Sequence, residues 1–254
     1  RSALGITTMP ISAVQDRLGP RLPGKVAVPN GQLQIVTAPQ QGLVDTLLAA
    51  EGEEVKQGQP LLRIQSPRLL ELQGEYLETR ARHNPAKSNY ERDRQLNSEG
   101  IIAERRFLES RANYQELDRS LSRARQVLGL AGMEVAGFKK LDSDRELRST
   151  LTVKAPFDGV ILEQMVTAGR RVEAADPLYR VARLNPLWLE IHVPLEQLGD
   201  TRAGQEVRVP ELGLKGTIVT VGRMVHGADQ GVLVRADMRE GTARLRPGQF
   251  VPAQ

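Results

Sequence analysis

At 254 residues the chain is long enough for more than one core, and 40% apolar with 26% charged residues marks it as globular rather than disordered. Its 35 basic and 31 acidic residues are interspersed, so the net charge of +4 describes a mixed solvated surface and gives no basis for a nucleic-acid patch. There is no cysteine, which excludes disulfides, thiolate metal sites and cysteine nucleophiles, and aromatics at 4% favour several thin modules over one large core.

Residues 1–24 are punctuated by Pro10, Gly19, Pro20, Pro23 and Gly24, with short apolar pieces at Ile6 and Ile11–Val14, and read as extended chain and turns. Residues 25–37 hold two short strand candidates around the turn Pro29-Asn30-Gly31. The stretch that follows, 38–64, recurs without a gap at 155–181, an offset of 117. Ala38/Ala155, Pro39/Pro156, Gly42/Gly159, Gly52/Gly169, Val55/Val172, Pro60/Pro177, Leu61/Leu178 and Arg63/Arg180 are identical pairs. This predicts one small β-domain in two halves, with glycines where the backbone takes positive φ.

Ser66-Pro67 has the form of a helix start, a side-chain cap followed by proline at the first helical position. Over 67–98 a seam of Leu69, Leu72, Tyr76, Thr79, His83, Ala86 and Tyr90 recurs at steps of three and four. Pro85 should kink that helix or lengthen one turn, and Gly100 should end it in the left-handed conformation. A return helix over about 104–128 carries Phe107, Ser110, Tyr114, Leu117, Leu121, Ala124 and Leu128 in heptad spacing. A 25-residue helix extends about 37 Å, so the pair should project from a small domain as a hairpin. Residues 133–150 read as a polar return linker. After the second repeat half, strand alternation begins at Trp188, Glu190 and His192, and short strands at 206–209, 215–221, 231–236 and 249–251 have the pattern of a small antiparallel barrel.

The expected fold class is therefore α+β, multi-domain and elongated. Its parts are a split β-sandwich (38–65 with 151–182), an inserted antiparallel helical hairpin (66–132) and a β-barrel (25–37 with 183–254). No apolar run approaches the ~20 residues that span a bilayer. A chain that opens at Arg1 and stops at Pro252-Ala253-Gln254 in mid-pattern reads as trimmed at both ends. No Walker loop, HExxH, GxSxG or dinucleotide fingerprint is present, so no enzyme activity and no cofactor are expected.

The repeat resembles the two halves of a biotinyl/lipoyl carrier domain. The split version, with a hairpin between the halves and a barrel after it, resembles the periplasmic adaptor (membrane fusion, HlyD-like) subunits of tripartite efflux pumps. The segments Gly231–Ala236 and Arg246–Val251 resemble barrel strands of that family. The resemblance implies a non-catalytic adaptor in the periplasm, associated with the inner membrane. It would join an inner-membrane transporter to an outer-membrane channel protein and self-associate into a ring, a hexamer in the family pattern. Residues 1–24 would then be a remnant of the membrane-proximal region. The run Leu4–Thr8 and the short hairpin resemble the heavy-metal branch, served by an RND-type transporter; an ABC-driven export system is the alternative. The family's tip pattern, Arg-x3-Leu-x6-Ser, falls on Arg92, Leu96 and Ala103, where alanine replaces the serine and removes a hydroxyl. A true acyl carrier, the reading from a different class, needs an accessible lysine at the turn between the halves; here the hairpin occupies that turn. Three histidines and five methionines are present, and Met224 with His226, and His192 beside Glu190, are the candidate soft-metal ligands. Spacing alone converges no set of three or four, so no metal site is assigned.

Overall fold

The computed structural model describes residues 19–144, 146–199, 201–226 and 230–254. They form two compact units, one spanning Leu33–Ala182 and the other built from the chain before and after it. The chain enters through strand β1 (Leu22–Ala27) and a 3-10 turn at Asn30–Gln32. Then come β2 (Leu33–Thr37), β3 (Gly42–Leu47), β4 (Glu54–Val55), β5 (Pro60–Gln65), helices α1 (Pro67–Ser98), α2 (Glu104–Leu130) and α3 (Val135–Asp144), and β6 (Thr150–Lys154), β7 (Gly159–Gln164), β8 (Arg171–Val172) and β9 (Pro177–Ala182).

The repeat governs this unit to the residue. Strands β2, β3, β4 and β5 return 117 positions later as β6, β7, β8 and β9. They make two four-stranded sheets, β2-β9-β7-β4 and β6-β5-β3-β8. In each sheet the two central strands come from one half and both edge strands from the other. The tie bonds duplicate as well: Gly52 N–H donates to Ile161 C=O as Gly169 N–H donates to Val44 C=O, both at 2.8 Å. Ala38 N–H to Asp176 C=O and Ala155 N–H to Gln59 C=O are both 2.9 Å. Gly42 and Gly159 therefore serve one core, in which Val44, Val55, Leu61, Ile64, Ile161, Val172, Leu178 and Val181 are buried together. Tyr179 is fully buried there and its hydroxyl donates to Ala49 C=O at 3.0 Å, with Leu61 C=O at 3.3 Å. Burial first, and the nearby Glu53 charge second, push its pKa up to about 12.

The expected hairpin is present, and α1 runs unbroken through Pro85. Its seam carries a ring stack, with Tyr90 on Tyr114 at 5.0 Å and on Phe107 at 6.0 Å. His83 closes the row beside Tyr114, at 5.5 Å. Four expectations need correction. Ser66 stands at the α1 N-cap, but its buried hydroxyl makes no capping bond; its own N–H is held instead by Ser149 C=O at 2.8 Å. The segment 25–37 is not one barrel strand pair: Leu33–Thr37 is β2, hydrogen-bonded to β9 of the sandwich, because its partner lies across the repeat rather than beside it in sequence. Residues 22–24 lie in barrel strand β1, not in a separate region, and residues 1–18 lie outside the described residues. The return 133–150 is not a bare linker. It contains α3, which buries Phe138 and Leu141, and Phe138 meets Tyr76 edge-on at 5.7 Å. Asp142 accepts from the Tyr76 hydroxyl at 2.9 Å and from Arg80 at 2.6 Å. Buried Gln73 clasps the Arg148 backbone, its amide donating to C=O at 2.8 Å and its carbonyl accepting from N–H at 3.0 Å.

The second unit uses β1 with β10 (Leu187–Pro194), the short helix α4 (Leu195–Leu198), β11 (Glu206–Val209), β12 (Leu214–His226), β13 (Gly231–Met238) and β14 (Phe250–Ala253). Their order is β11-β12-β13-β10-β1-β14. Reciprocal bonds between Arg208 and Gln254 (2.8 and 2.9 Å) join β11 to β14 and close the sheet into the expected barrel. The alternation read from sequence puts Leu187, Leu189, Ile191 and Val193 inside, with Val207, Val209, Ile218, Val234 and Ala236.

Candidate functional site

The hairpin tip is where the family's pattern falls, on Arg92, Leu96 and Ala103. α1 stops because Gly100 takes φ +72°, a conformation that glycine adopts without a Cβ clash. Gly100 N–H then donates to Asn97 C=O (3.0 Å) and Ile101 N–H to Leu96 C=O (2.9 Å), the paired bonds of a Schellman motif. The motif turns the chain at once, and α2 begins four residues later. Ala103 is the residue before α2 and has no side chain to cap it; its C=O accepts from Arg106 N–H at 3.0 Å.

Arg92 is exposed on the last turns of α1, its guanidinium donating to Asn89 Oδ1 at 2.8 Å. Leu96 is half-buried and its backbone anchors the turn; Ala103 is exposed on the far side of the loop. The three sequence-identified residues thus share the tip. Two further features were not read from the sequence. Ile101 and Leu108 stand 63% and 49% exposed there, an apolar surface beside the charges. Asp93, one residue after Arg92, points into the seam and is only 4% exposed. Its Oδ1 has no hydrogen-bond partner, and its Oδ2 lies 3.7 Å from Arg106 Nε. The heptad spacing could have flagged it, because Asp93 continues the series through Ala86 and Tyr90.

Among the described residues the candidate metal ligands do not converge. His83 is buried in the seam with Nε2 3.3 Å from Asp118 Oδ1, close but without the alignment of a hydrogen bond. His192 is exposed on β10 opposite Leu233, and the neighbouring Glu190 carboxylate already accepts from Arg235 at 2.8 Å. Met224 is exposed where β12 slips register against β13, and the side chain of His226 lies outside the described residues. Among the described residues no three His, Asp or Glu side chains are grouped to hold a metal ion. No helix among them is long and apolar enough to cross a membrane.

Known proteins share this arrangement. The cobalt-zinc-cadmium resistance protein CzcB of Cupriavidus metallidurans is 25% identical over 97% of this chain and 47% of its own length. The cation efflux system protein CusB of Escherichia coli is 25% identical over 75% of this chain and 39% of its own length. The chain thus spans less than half the length of each of these two relatives. Among solved structures, ZneB from Cupriavidus metallidurans superposes with a TM-score of 0.62 at 24% identity, covering 92% of this chain and 96% of that one. A MacA-MexA chimeric protein carrying the Pseudomonas aeruginosa MexA α-hairpin domain gives 0.70 at 17% identity, over 92% and 78%. Both support the fold. Residues 32–183, the whole split sandwich with its hairpin, match the family described as CzcB-like, barrel-sandwich hybrid domain, and the chain belongs to that family.

Proposed function

We propose that the chain is the sandwich, hairpin and barrel of a periplasmic adaptor, bridging an inner-membrane transporter of the RND type and an outer-membrane channel in the efflux of metal cations. One observation carries the reading. A sandwich whose halves exchange edge strands holds both ends of a paired-helix arm, and this same chain matches proteins of cation resistance and efflux along most of its length. Such a scaffold performs no bond chemistry. Its sequence supplies a fixed base (Gln73 bonded to Arg148, Tyr76 and Arg80 to Asp142) and a tip with exposed charge and apolar surface for a partner. Arg92, Leu96 and Ala103 are the tip residues that would meet the channel, and copies of the chain would act as a ring.

The test has two arms. In a strain lacking the gene, the intact gene should restore growth on cobalt, zinc, cadmium, copper or silver salts, and should not do so once Leu96→Asp is introduced. Cysteine substitutions at Arg92, Leu96 and Ala103, in a protein with no cysteine of its own, should cross-link to the outer-membrane channel encoded beside it. No restored growth on any of the five salts would overturn the cation assignment. No cross-link at any of the three positions would overturn the tip contact.

A further inference from the structure

The polar side chains of α1 that face the seam from Leu69 to Tyr90 have partners: Gln73 clasps Arg148, Thr79 donates to Glu75 C=O, and His83 has Asp118 beside it. Asp93, the next seam position and the last before the tip, is different. It is a carboxylate withdrawn from water, with one oxygen unpartnered and the other 3.7 Å from Arg106 Nε, beyond hydrogen-bond distance. A buried carboxylate in this condition is costly unless something completes it. The group over it is not a fixed partner: the Arg106 side chain is 61% exposed and belongs to the first turn of α2, which Ala103 leaves without a side-chain cap. Arg106 can therefore swing off the carboxylate without disturbing a packed core. The surface around it is built for contact, since Arg92, Leu96, Ile101 and Leu108 all present exposed or half-exposed groups within three turns.

We propose that Asp93 is an acceptor for a cationic side chain of the partner at the hairpin tip, with Arg106 as the movable cover that occupies its place in the free protein. The incoming guanidinium or ammonium displaces Arg106 and supplies the bonds that the Asp93 carboxylate lacks, while Ile101 and Leu108 are covered around it. The occupant is cationic because the receiving group is a carboxylate that a cation already shields imperfectly. The inference rests on the proposed tip contact and adds to it a residue outside the Arg-x3-Leu-x6-Ser positions.

Divergence between two variants tests it. Binding of the full chain to the purified outer-membrane channel protein encoded beside it is measured together with thermal unfolding. Asp93→Leu should weaken binding about tenfold or more while the unfolding midpoint holds or rises, since an apolar residue suits the seam. Asp93→Asn, which keeps the volume and loses the charge, should weaken binding too. Arg106→Ala should leave binding unchanged or tighter, and that effect should vanish in the Asp93→Leu background. If Asp93→Leu binds like the parent, or if Arg106→Ala weakens binding as Asp93→Leu does, the pair is a structural contact and the proposal is overturned. Leu96→Asp separates the two levels. Should it abolish binding while Asp93→Leu does not, the tip contact stands and the acceptor role falls. Should neither variant matter, the tip contact itself falls.

Discussion

Within the duplicated fold, Gly58 and Ala175 occupy the same place, and the pair offers a controlled measurement of backbone strain. Gly58 sits at φ +80° and Ala175 at φ +70°. Both donate an equivalent bond across the sandwich, Gly58 N–H to Ala155 C=O at 2.9 Å and Ala175 N–H to Ala38 C=O at 2.8 Å. A Cβ on Gly58 would meet no atom within 4 Å, so sterics with neighbours do not enter and only the dihedral differs. A non-glycine residue in the left-handed region costs about 1–2 kcal/mol, and glycine takes back about 0.4–1 kcal/mol through the freedom of the unfolded chain. Ala175→Gly should therefore stabilise the sandwich unit by about 0.5–1 kcal/mol, and Gly58→Ala should destabilise it by a similar amount. The assay is urea denaturation followed by far-UV circular dichroism. The long helices of this unit dominate that signal, whereas Trp188, the single tryptophan, reports the barrel. The transition midpoint should move in opposite directions for the two variants with the slope unchanged. A destabilised Ala175→Gly, or a neutral Gly58→Ala, would refute the claim that the dihedral alone separates the copies.

Three further outcomes follow from geometry already described. Gly42→Ala and Gly159→Ala would place a Cβ 2.4 Å from Gln65 C=O and 2.5 Å from Ala182 C=O, respectively. Each should cost about 1–3 kcal/mol through forced backbone shifts, read in the same denaturation assay. Tyr179→Phe orphans the buried Ala49 carbonyl and should cost about 1 kcal/mol. The same tyrosine sets an alkaline limit. Its folded pKa of about 12 lies above the usual value of 10.0, so its contribution is complete below pH 10 and drains away between 10 and 12, as the unfolded chain ionises first. The phenylalanine variant should lose less stability over that window. At the base of the hairpin, Gln73→Ala leaves Arg148 N–H and C=O without their clasp. Hydrogen exchange at residue 148 should quicken while exchange across residues 79–90 of α1 does not.

The repeat made the sandwich legible because its spacing is rigid. Eight identities at one offset fix which strands correspond, and proline, glycine and valine sit where backbone geometry leaves little choice. The hairpin was legible for the same reason, a heptad series on both arms. Other parts were hidden because their determinants are long-range. β2 and β6 are counterparts, yet Leu33-Gln34-Ile35-Val36-Thr37 and Thr150-Leu151-Thr152-Val153-Lys154 share little beyond one valine, so nothing local assigns β2 to the sandwich. The Gln73 clasp joins residues 75 positions apart. Ser66 satisfies the rule for a cap and forms none, because the strand before it carries its hydroxyl into the interior. At the tip, Arg92, Leu96 and Ala103 came from a pattern, whereas Asp93 required knowing that its carboxylate faces inward.

The exchange of edge strands has a consequence for biosynthesis. When the ribosome has delivered residues 33–65, β3 and β5 have each other but lack both flanking strands, which arrive only with the second copy. The helices between can pair at once from local contacts, and by doing so they bring the chain back beside its starting point, where Thr150 meets Gln65. The arm therefore acts as a splint during synthesis: it converts a distant closure into a near one, with less entropy to surrender. Lengthening or swapping the arm should leave the sandwich able to assemble wherever the two helices still return in antiparallel register, and cutting the arm should leave two halves with unmatched edges.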